Sequence, residues 1–156
     1  MLESLKRAYS SELLFYRSHH QNKINWYIHR VCIPLEWLSW FIFTPYIQLT
    51  IAIALIVAVY YLLTGSKASC TAAFATIMLG YIALILNRLM IRDNACFIAF
   101  SLQIIAWLAQ VRIGHFYFEK NSPGMLKKIT VNGAVLSLLM VFEQCGVQED
   151  YSLGPL

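Results

Sequence analysis

Four histidines flank the apolar centre of this 156-residue chain, and imidazole is the commonest metal-binding side chain in proteins. His19, His20 and His29 precede a stretch at 31–111 that carries few charges, and His115 follows it. If this stretch crosses a bilayer an even number of times, all four histidines return to the same face. The arrangement predicts a metal site at a membrane surface that acts on a lipid.

The N-terminal histidines lie in a segment that also contains asparagines. Asn22, Asn25 and His29 are spaced i, i+3 and i+7 and would share one helical face. On one straight helix, His20 and His29 would be about 13–14 Å apart along the axis and would point to nearly opposite sides. For both to bind one ion, the helix must begin after His20, with a turn near Gln21 and Asn22 as the cap.

The C-terminal candidates are His115 and Glu119, which at i and i+4 would be neighbours on a helix. Both could be metal ligands, or Glu119 could orient a ligand histidine without touching the metal. Gly114 would permit a close backbone approach or a bend. His19 is a further candidate ligand, although adjacent residues on a helix face different directions.

The composition favours a membrane protein. The chain is 59% hydrophobic and 13% charged, with a mean hydropathy of +0.60, whereas soluble domains have about 45–50% apolar and about 25% charged residues. The net charge of +4 does not indicate nucleic-acid binding, because no basic run is interleaved with aromatic residues. The four cysteines form no CxxC pair, and Cys32 and Cys96, in or beside apolar segments, are interpreted as small hydrophobic residues.

The apolar pattern predicts an all-α fold, a polytopic membrane helical bundle that forms a single integral membrane domain over residues 1–156. Four transmembrane helices are predicted at approximately 28–43, 46–63, 70–86 and 95–111. The first is the least regular, since Pro34 interrupts it, and Thr44-Pro45 offers the turn that separates it from the second.

Two further helices are predicted outside these spans. Leu2, Leu5, Tyr9, Leu13 and Tyr16 follow helical spacing and indicate an N-terminal amphipathic helix on the membrane surface. The apolar stretch at 129–142 is short for a crossing and predicts a short C-terminal interfacial or re-entrant helix.

The distribution of charge predicts the orientation. With four spans, every basic residue except Arg88 and Arg92 falls on one side, and positive residues concentrate in cytoplasmic loops. Both termini are therefore expected in the cytoplasm. The first thirty residues are polar and contain no continuous apolar run, so no signal peptide is expected. Three spans would separate His115 from the other histidines.

At these residues the sequence resembles the Mpo1-like family. The first family motif is matched in order by His20, Asn22, Asn25, His29 and Pro34. The second is matched by Gly114, His115, Glu119 and Pro123. His19 stands where the family often has tyrosine, and Cys32 where it usually has glycine. The resemblance covers most of the chain, including the number of spans.

The resemblance implies an Fe(2+)-dependent dioxygenase of the endoplasmic-reticulum membrane that acts in fatty acid α-oxidation and phytosphingosine breakdown. Such an enzyme converts a 2-hydroxy fatty acid and O2 into a fatty acid one carbon shorter. His20, His29 and His115 would bind the iron, with His19 or Glu119 as further ligands. Asn22 and Asn25 would bind the substrate carboxylate or orient the ligands.

Other classes fit less well or remain as alternatives. Membrane diiron hydroxylases use many more histidines, in HxxxH and HxxHH boxes that this chain lacks. A transporter is disfavoured because no charged residue lies near the centre of the second or third span. A non-catalytic membrane scaffold or lipid-binding protein remains the alternative, since histidine and asparagine can simply hydrogen-bond neighbouring helices.

Overall fold

The computed structural model describes residues 2–44, 46–124 and 131–151, and every regular element within these ranges is a helix. The α-helices are α1 (Leu2–Ser18), α2 (Lys23–Phe43), α3 (Ile47–Thr64), α4 (Ser69–Leu89), α5 (Arg92–Leu108) and α6 (Val131–Tyr151). Helix α5 continues directly into a π-helical segment, Ala109–Glu119. The predicted all-α fold is confirmed.

Three helices are long and apolar enough to cross a membrane: α3, α4, and α5 together with the π-helical segment. They correspond to the second, third and fourth predicted spans. Their outward side chains are large and apolar, with Ile56 69%, Phe74 66% and Phe97 71% exposed. Because soluble proteins rarely display continuous surfaces of this kind, the chain associates with a membrane.

Helix α2 contains the first predicted span, 28–43, but begins earlier and is not among the three helices that are long and apolar enough to cross a membrane. His29, Arg30 and Glu36 lower its hydropathy. Its C-terminal carbonyl groups are satisfied by Arg92, which donates to the oxygens of Ile42 (2.9 Å) and Phe43 (2.7 Å). Pro45, at the predicted turn, lies outside the described residues.

The fourth predicted span, 95–111, is part of a longer helix that ends at Glu119. The sequence beyond residue 111 is more polar, but Gly114 and His115 are buried and the π-helical segment packs against α2. Lys120 ends the segment in the left-handed conformation, with φ 55°. Since π-helical turns frequently occur at functional sites, this extension points to the region around His115.

Helix α6 is longer and more deeply buried than the short C-terminal helix predicted at 129–142. It has 21 residues, and positions 129 and 130 lie outside the described part. Leu136, Leu138 and Leu139 are fully buried in one core cluster with Tyr61, whose hydroxyl donates to a carbonyl of α6. Contacts with α1, α2, α3 and α4 make α6 an internal element of the bundle.

Helix α1 has the predicted amphipathic pattern. Tyr9 and Tyr16 are buried, whereas Lys6 and Arg7 are exposed. The helix packs against α3 and α6 and ends immediately before the first histidines. The two chain segments that hold the candidate site are therefore the α1–α2 junction and the π-helical segment.

Candidate metal centre

The junction between α1 and α2 leaves His20 outside both helices. Helix α1 ends at Ser18 and α2 begins at Lys23. Asn22 is the N-cap of α2, and its side-chain oxygen accepts hydrogen bonds from the backbone N–H groups of Ile24 (2.9 Å) and the following residue (3.4 Å). The predicted turn and cap are confirmed. The turn allows the His20 ring to face α2.

His20, His29 and His115 form a compact histidine cluster. One ligand nitrogen from each ring lies within 4.8 Å of the other two. The ring centroids are 4.3 Å apart for His20 and His29, and 4.9 Å for each ring with His115. The three side chains are 7%, 5% and 2% exposed. The two distant chain segments thus meet, as predicted, and can hold one metal ion.

Backbone carbonyls fix which nitrogens of the cluster are available. Nδ1 of His20 lies 2.7 Å from the carbonyl oxygen of Tyr16, and Nδ1 of His29 lies 3.0 Å from that of Asn25. A carbonyl only accepts, so both Nδ1 atoms carry the proton and both Nε2 atoms keep a lone pair. Within the described ranges, buried His20 Nε2 and His115 Nδ1 have no hydrogen-bond partner. A bound cation would satisfy them.

The protonation state of His20 suits metal binding. Burial lowers its pKa well below the usual value, and the charge that His29 would carry lowers it further. His20 is therefore neutral at physiological pH, which is the form that ligates metals. Imidazole nitrogens suit iron, zinc, copper and nickel alike, so the cluster defines a metal site without selecting the metal.

Glu119 joins the π-helical segment to the α1–α2 junction. One carboxylate oxygen accepts the N–H of Gln21 at 2.8 Å; the other accepts the N–H of Asn22 at 3.0 Å and Nδ2 of Asn25 at 2.9 Å. Asn22 Nδ2 also donates to the carbonyl of Phe118 at 3.1 Å. Of the two roles considered for Glu119, this geometry corresponds to orienting the ligands, because the carboxylate is not part of the histidine cluster.

Asn25 fills the space between the two segments. It is fully buried, and its Nδ2 donates to Glu119 and, at 3.5 Å, to the carbonyl of His19. A Cβ atom on Gly114 would lie 2.2 Å from Asn25 Oδ1, so only glycine fits there. The predicted close approach at Gly114 is confirmed. Neither Asn22 nor Asn25 is among the described residues that line the adjacent cavity.

His19 lies next to the cluster but is not one of its three members. Its Nδ1 is 3.0 Å from the carbonyl oxygen of Phe15 and 2.9 Å from the hydroxyl of Ser18. The ring is 7% exposed and packs against Phe15, with ring centroids 4.6 Å apart. In this arrangement His19 contributes to the packing of the junction.

Two contacts of His20 were not predicted from the sequence. The Tyr16 ring stacks on the His20 ring with centroids 3.8 Å apart and planes inclined by 18°. Gln144 of α6 donates through Nε2 to the His20 carbonyl at 2.9 Å. Tyr16 precedes His20 by four residues, a spacing at which side chains meet on a helix, and this could have indicated the first contact. No local pattern indicates the second, since it joins residues 124 positions apart.

A cavity of about 540 Å³ extends from the histidine cluster along α2. Its wall includes His29 near one end and Thr44 at the other, positions that a helix separates by roughly 22 Å. Between them the lining is largely aromatic and includes Trp37, Trp40, Phe41 and Trp107. The volume is in the range of ligand-binding pockets, and the apolar wall suits a long hydrocarbon chain.

Compared with protein-family models, curated proteins and solved structures, the chain matches none.

Proposed function

We propose that this protein is an Fe(2+)-dependent dioxygenase that shortens 2-hydroxy fatty acids by one carbon. The reaction is R–CH(OH)–COOH + O2 → R–COOH + CO2 + H2O. The bond between C1 and C2 breaks, C2 becomes the new carboxyl carbon, and O2 is the oxidant. The observation that carries the proposal is a cluster of three buried imidazoles at the head of an apolar cavity.

The ligand set supports iron and oxygen chemistry. Three neutral imidazoles would leave coordination positions open on ferrous iron, as oxygenases require. Iron held there would supply electrons for O2 activation and bind the substrate's carboxylate and 2-hydroxyl. His20, His29 and His115 would hold the ion, and Glu119 and Asn25 would orient the segments that carry them.

The cavity supports a substrate with a polar head and an apolar tail. The head group would lie at the histidine cluster, and the hydrocarbon chain would extend between α2 and α5 past Trp37 and Trp107. The tail would then be removed from water in a membrane protein whose substrate already resides in the bilayer. Burial of the cluster excludes bulk water from the reacting carbon.

The proposed topology has four crossings, formed by α2, α3, α4 and the continuous helix Arg92–Glu119, with both termini cytoplasmic in the endoplasmic-reticulum membrane. Two observations support an even number. His20 precedes α2 and His115 lies at the end of the last crossing, yet their rings are 4.9 Å apart. The segments that four crossings place together with the N-terminus also hold Lys6, Arg17 and Lys67, as expected of the cytoplasmic side.

Anaerobic reconstitution tests the proposed function. The full chain, purified in detergent, is loaded with Fe(II), freed of unbound metal, and mixed with 2-hydroxyhexadecanoic acid and O2. We expect one iron per chain and a product one carbon shorter, detected by mass spectrometry, with one CO2 per O2 consumed. The protein loaded with Zn(II) is the matched control and should bind metal without turnover.

A scaffold or lipid-binding protein is the alternative, and the apolar cavity alone would fit it. Stoichiometric iron distinguishes the two, because a scaffold needs none. An iron-free protein that still binds fatty acid would refute the dioxygenase and favour lipid binding.

A further inference from the structure

A polar pair lines the apolar cavity at a distance from the histidine cluster. Nε2 of Gln110 donates to Oε1 of Glu36 at 2.8 Å and to the carbonyl oxygen of Ala106 at 3.2 Å. Both side chains form part of the cavity wall. Within the described part of the chain, the second carboxylate oxygen of Glu36 makes no hydrogen bond.

A hydrocarbon chain whose head group lies at the histidine cluster would pass close to Glu36 and Gln110. Glu36 follows His29 by seven residues, which places it on the same side of α2 and about 10 Å farther along the axis. Gln110 precedes His115 on the facing segment by five residues. A ligand whose head lies at the cluster therefore passes the pair near the middle of its chain.

Linking two helices does not by itself explain this pair. A second polar link between the same two helical walls is formed by Ser39, which is fully buried and whose hydroxyl donates to Gln103 Oε1. Ser39 does not line the cavity, although its acceptor Gln103 does, so this link places no ionisable group in the cavity wall. An ionisable side chain turned into an apolar membrane cavity is costly, and such residues usually serve ligand binding or transport.

We propose that Glu36 and Gln110 form a binding site for a hydroxyl group in the middle of the acyl chain. The favoured ligands are long-chain 2-hydroxy acids that carry a second hydroxyl about 10 Å from the head group. A hydroxyl both donates and accepts, so it can pair with the open oxygen of Glu36 in either protonation state. The inference rests on the proposed function only in that it places an acyl chain in the cavity.

Competition binding tests this site without iron, O2 or turnover. The Zn(II)-loaded full chain in nanodiscs is saturated with a fluorescent fatty acid, which is displaced by two competitors. One is 2-hydroxyhexadecanoic acid, and the other is the same acid with a mid-chain hydroxyl. The ratio of their dissociation constants is compared between the natural chain, Glu36→Leu and Gln110→Met. Ser39→Ala is the matched control, since Ser39 does not line the cavity and its loss removes the neighbouring link while Glu36 and Gln110 remain.

We expect Glu36→Leu to shift the ratio about tenfold against the mid-chain hydroxyl, because that hydroxyl then enters the cavity unpaired. Gln110→Met should shift the ratio in the same direction but less, because the carboxylate remains and loses only the amide that orients it. Ser39→Ala should leave the ratio unchanged, and a hydroxyl at the chain end should be insensitive to Glu36→Leu. An unchanged ratio in whichever cavity variant folds would overturn the site and leave the pair as a link between helices. Failure of the dioxygenase assay would not alter this result, because the experiment measures binding alone.

Discussion

Helices α3 and α4 pack through small side chains, whereas the α1–α2 junction is held to the π-helical segment by hydrogen bonds between distant residues. In the first region, Gly80 faces Ala54 and Thr50, and the outer surface displays large apolar side chains such as Ile56 and Phe74. In the second, Glu119 alone accepts three hydrogen bonds. The helix pair needs only small residues at the contact. The junction depends on individual polar atoms, so substitutions there should affect the metal most.

Removal of an imidazole from the histidine cluster should have the largest effect. His20→Ala, His29→Ala and His115→Ala should each reduce bound iron from one per chain to nearly none, because two remaining ligands hold the ion weakly. Iron is measured by mass spectrometry after gel filtration. Ile56→Ala, on the exposed face of α3, is the matched control and should keep its iron.

The His19→Ala variant tests whether a fourth histidine binds the metal. Because His19 is not a member of the cluster, its variant should retain stoichiometric iron. Loss of iron in this variant would instead identify a fourth imidazole ligand and contradict the three-histidine centre.

Glu119→Gln should have the next largest effect. The amide retains one acceptor oxygen but cannot serve the two N–H groups and the Asn25 amide together. Loss of such orienting contacts typically weakens metal binding by about 10–100-fold. Competition with a chelator measures the change. An affinity equal to that of the natural chain would show that the helices alone position the histidines.

Two glycine substitutions compare the regions directly. In Gly114→Ala the new Cβ would lie 2.2 Å from Asn25 Oδ1, whereas in Gly80→Ala it would lie 3.2 Å from the Cβ of Ala54. We expect Gly114→Ala to lower the free energy of unfolding by about 1–3 kcal/mol through overpacking. At Gly80, the tight contact is offset by the higher helix propensity of alanine. Thermal unfolding in detergent, followed by circular dichroism, gives both values, and equal losses would contradict the comparison.

Gln144→Ala should have the smallest effect on the site. It removes one neutral hydrogen bond to the His20 carbonyl, while the Tyr16 carbonyl and ring still hold His20. We expect metal affinity to fall about three- to tenfold, which corresponds to about 0.5–1.5 kcal/mol. Gln144→Glu, of nearly equal size but without the donor, should reproduce the loss. Unchanged affinity in both variants would show that α6 does not position the site.

The sequence predicted the parts of the site that depend on local spacing. Asn22 was identifiable as a cap because a helix carrying His29 had to begin after His20, and Gly114 was identifiable as a close approach. The role of Glu119 was not fixed, since a carboxylate four residues from a histidine suits either binding or orientation. The partners of Glu119 lie more than ninety positions away, so only tertiary structure reveals them.

The fold was predictable where composition alone decides it. The apolar runs located α3 and α4 closely, because a helix that faces lipid needs little more than length and hydrophobicity. The extension of the fourth span to Glu119 and the burial of α6 were not predicted. Both depend on polar and small residues that become buried only by packing against other helices.

The α1–α2 junction and the π-helical segment are far apart in sequence, and this has a consequence for assembly in the cell. Gln21 meets Glu119 across 98 positions, so a chain still emerging from the ribosome carries His20 and His29 long before the residues that complete their setting exist. Such a nascent chain has only two of the three imidazoles of the histidine cluster, and two ligands hold a metal ion weakly. Metal capture is therefore expected only after synthesis has passed residue 119, and iron would enter a finished bundle instead of guiding its formation.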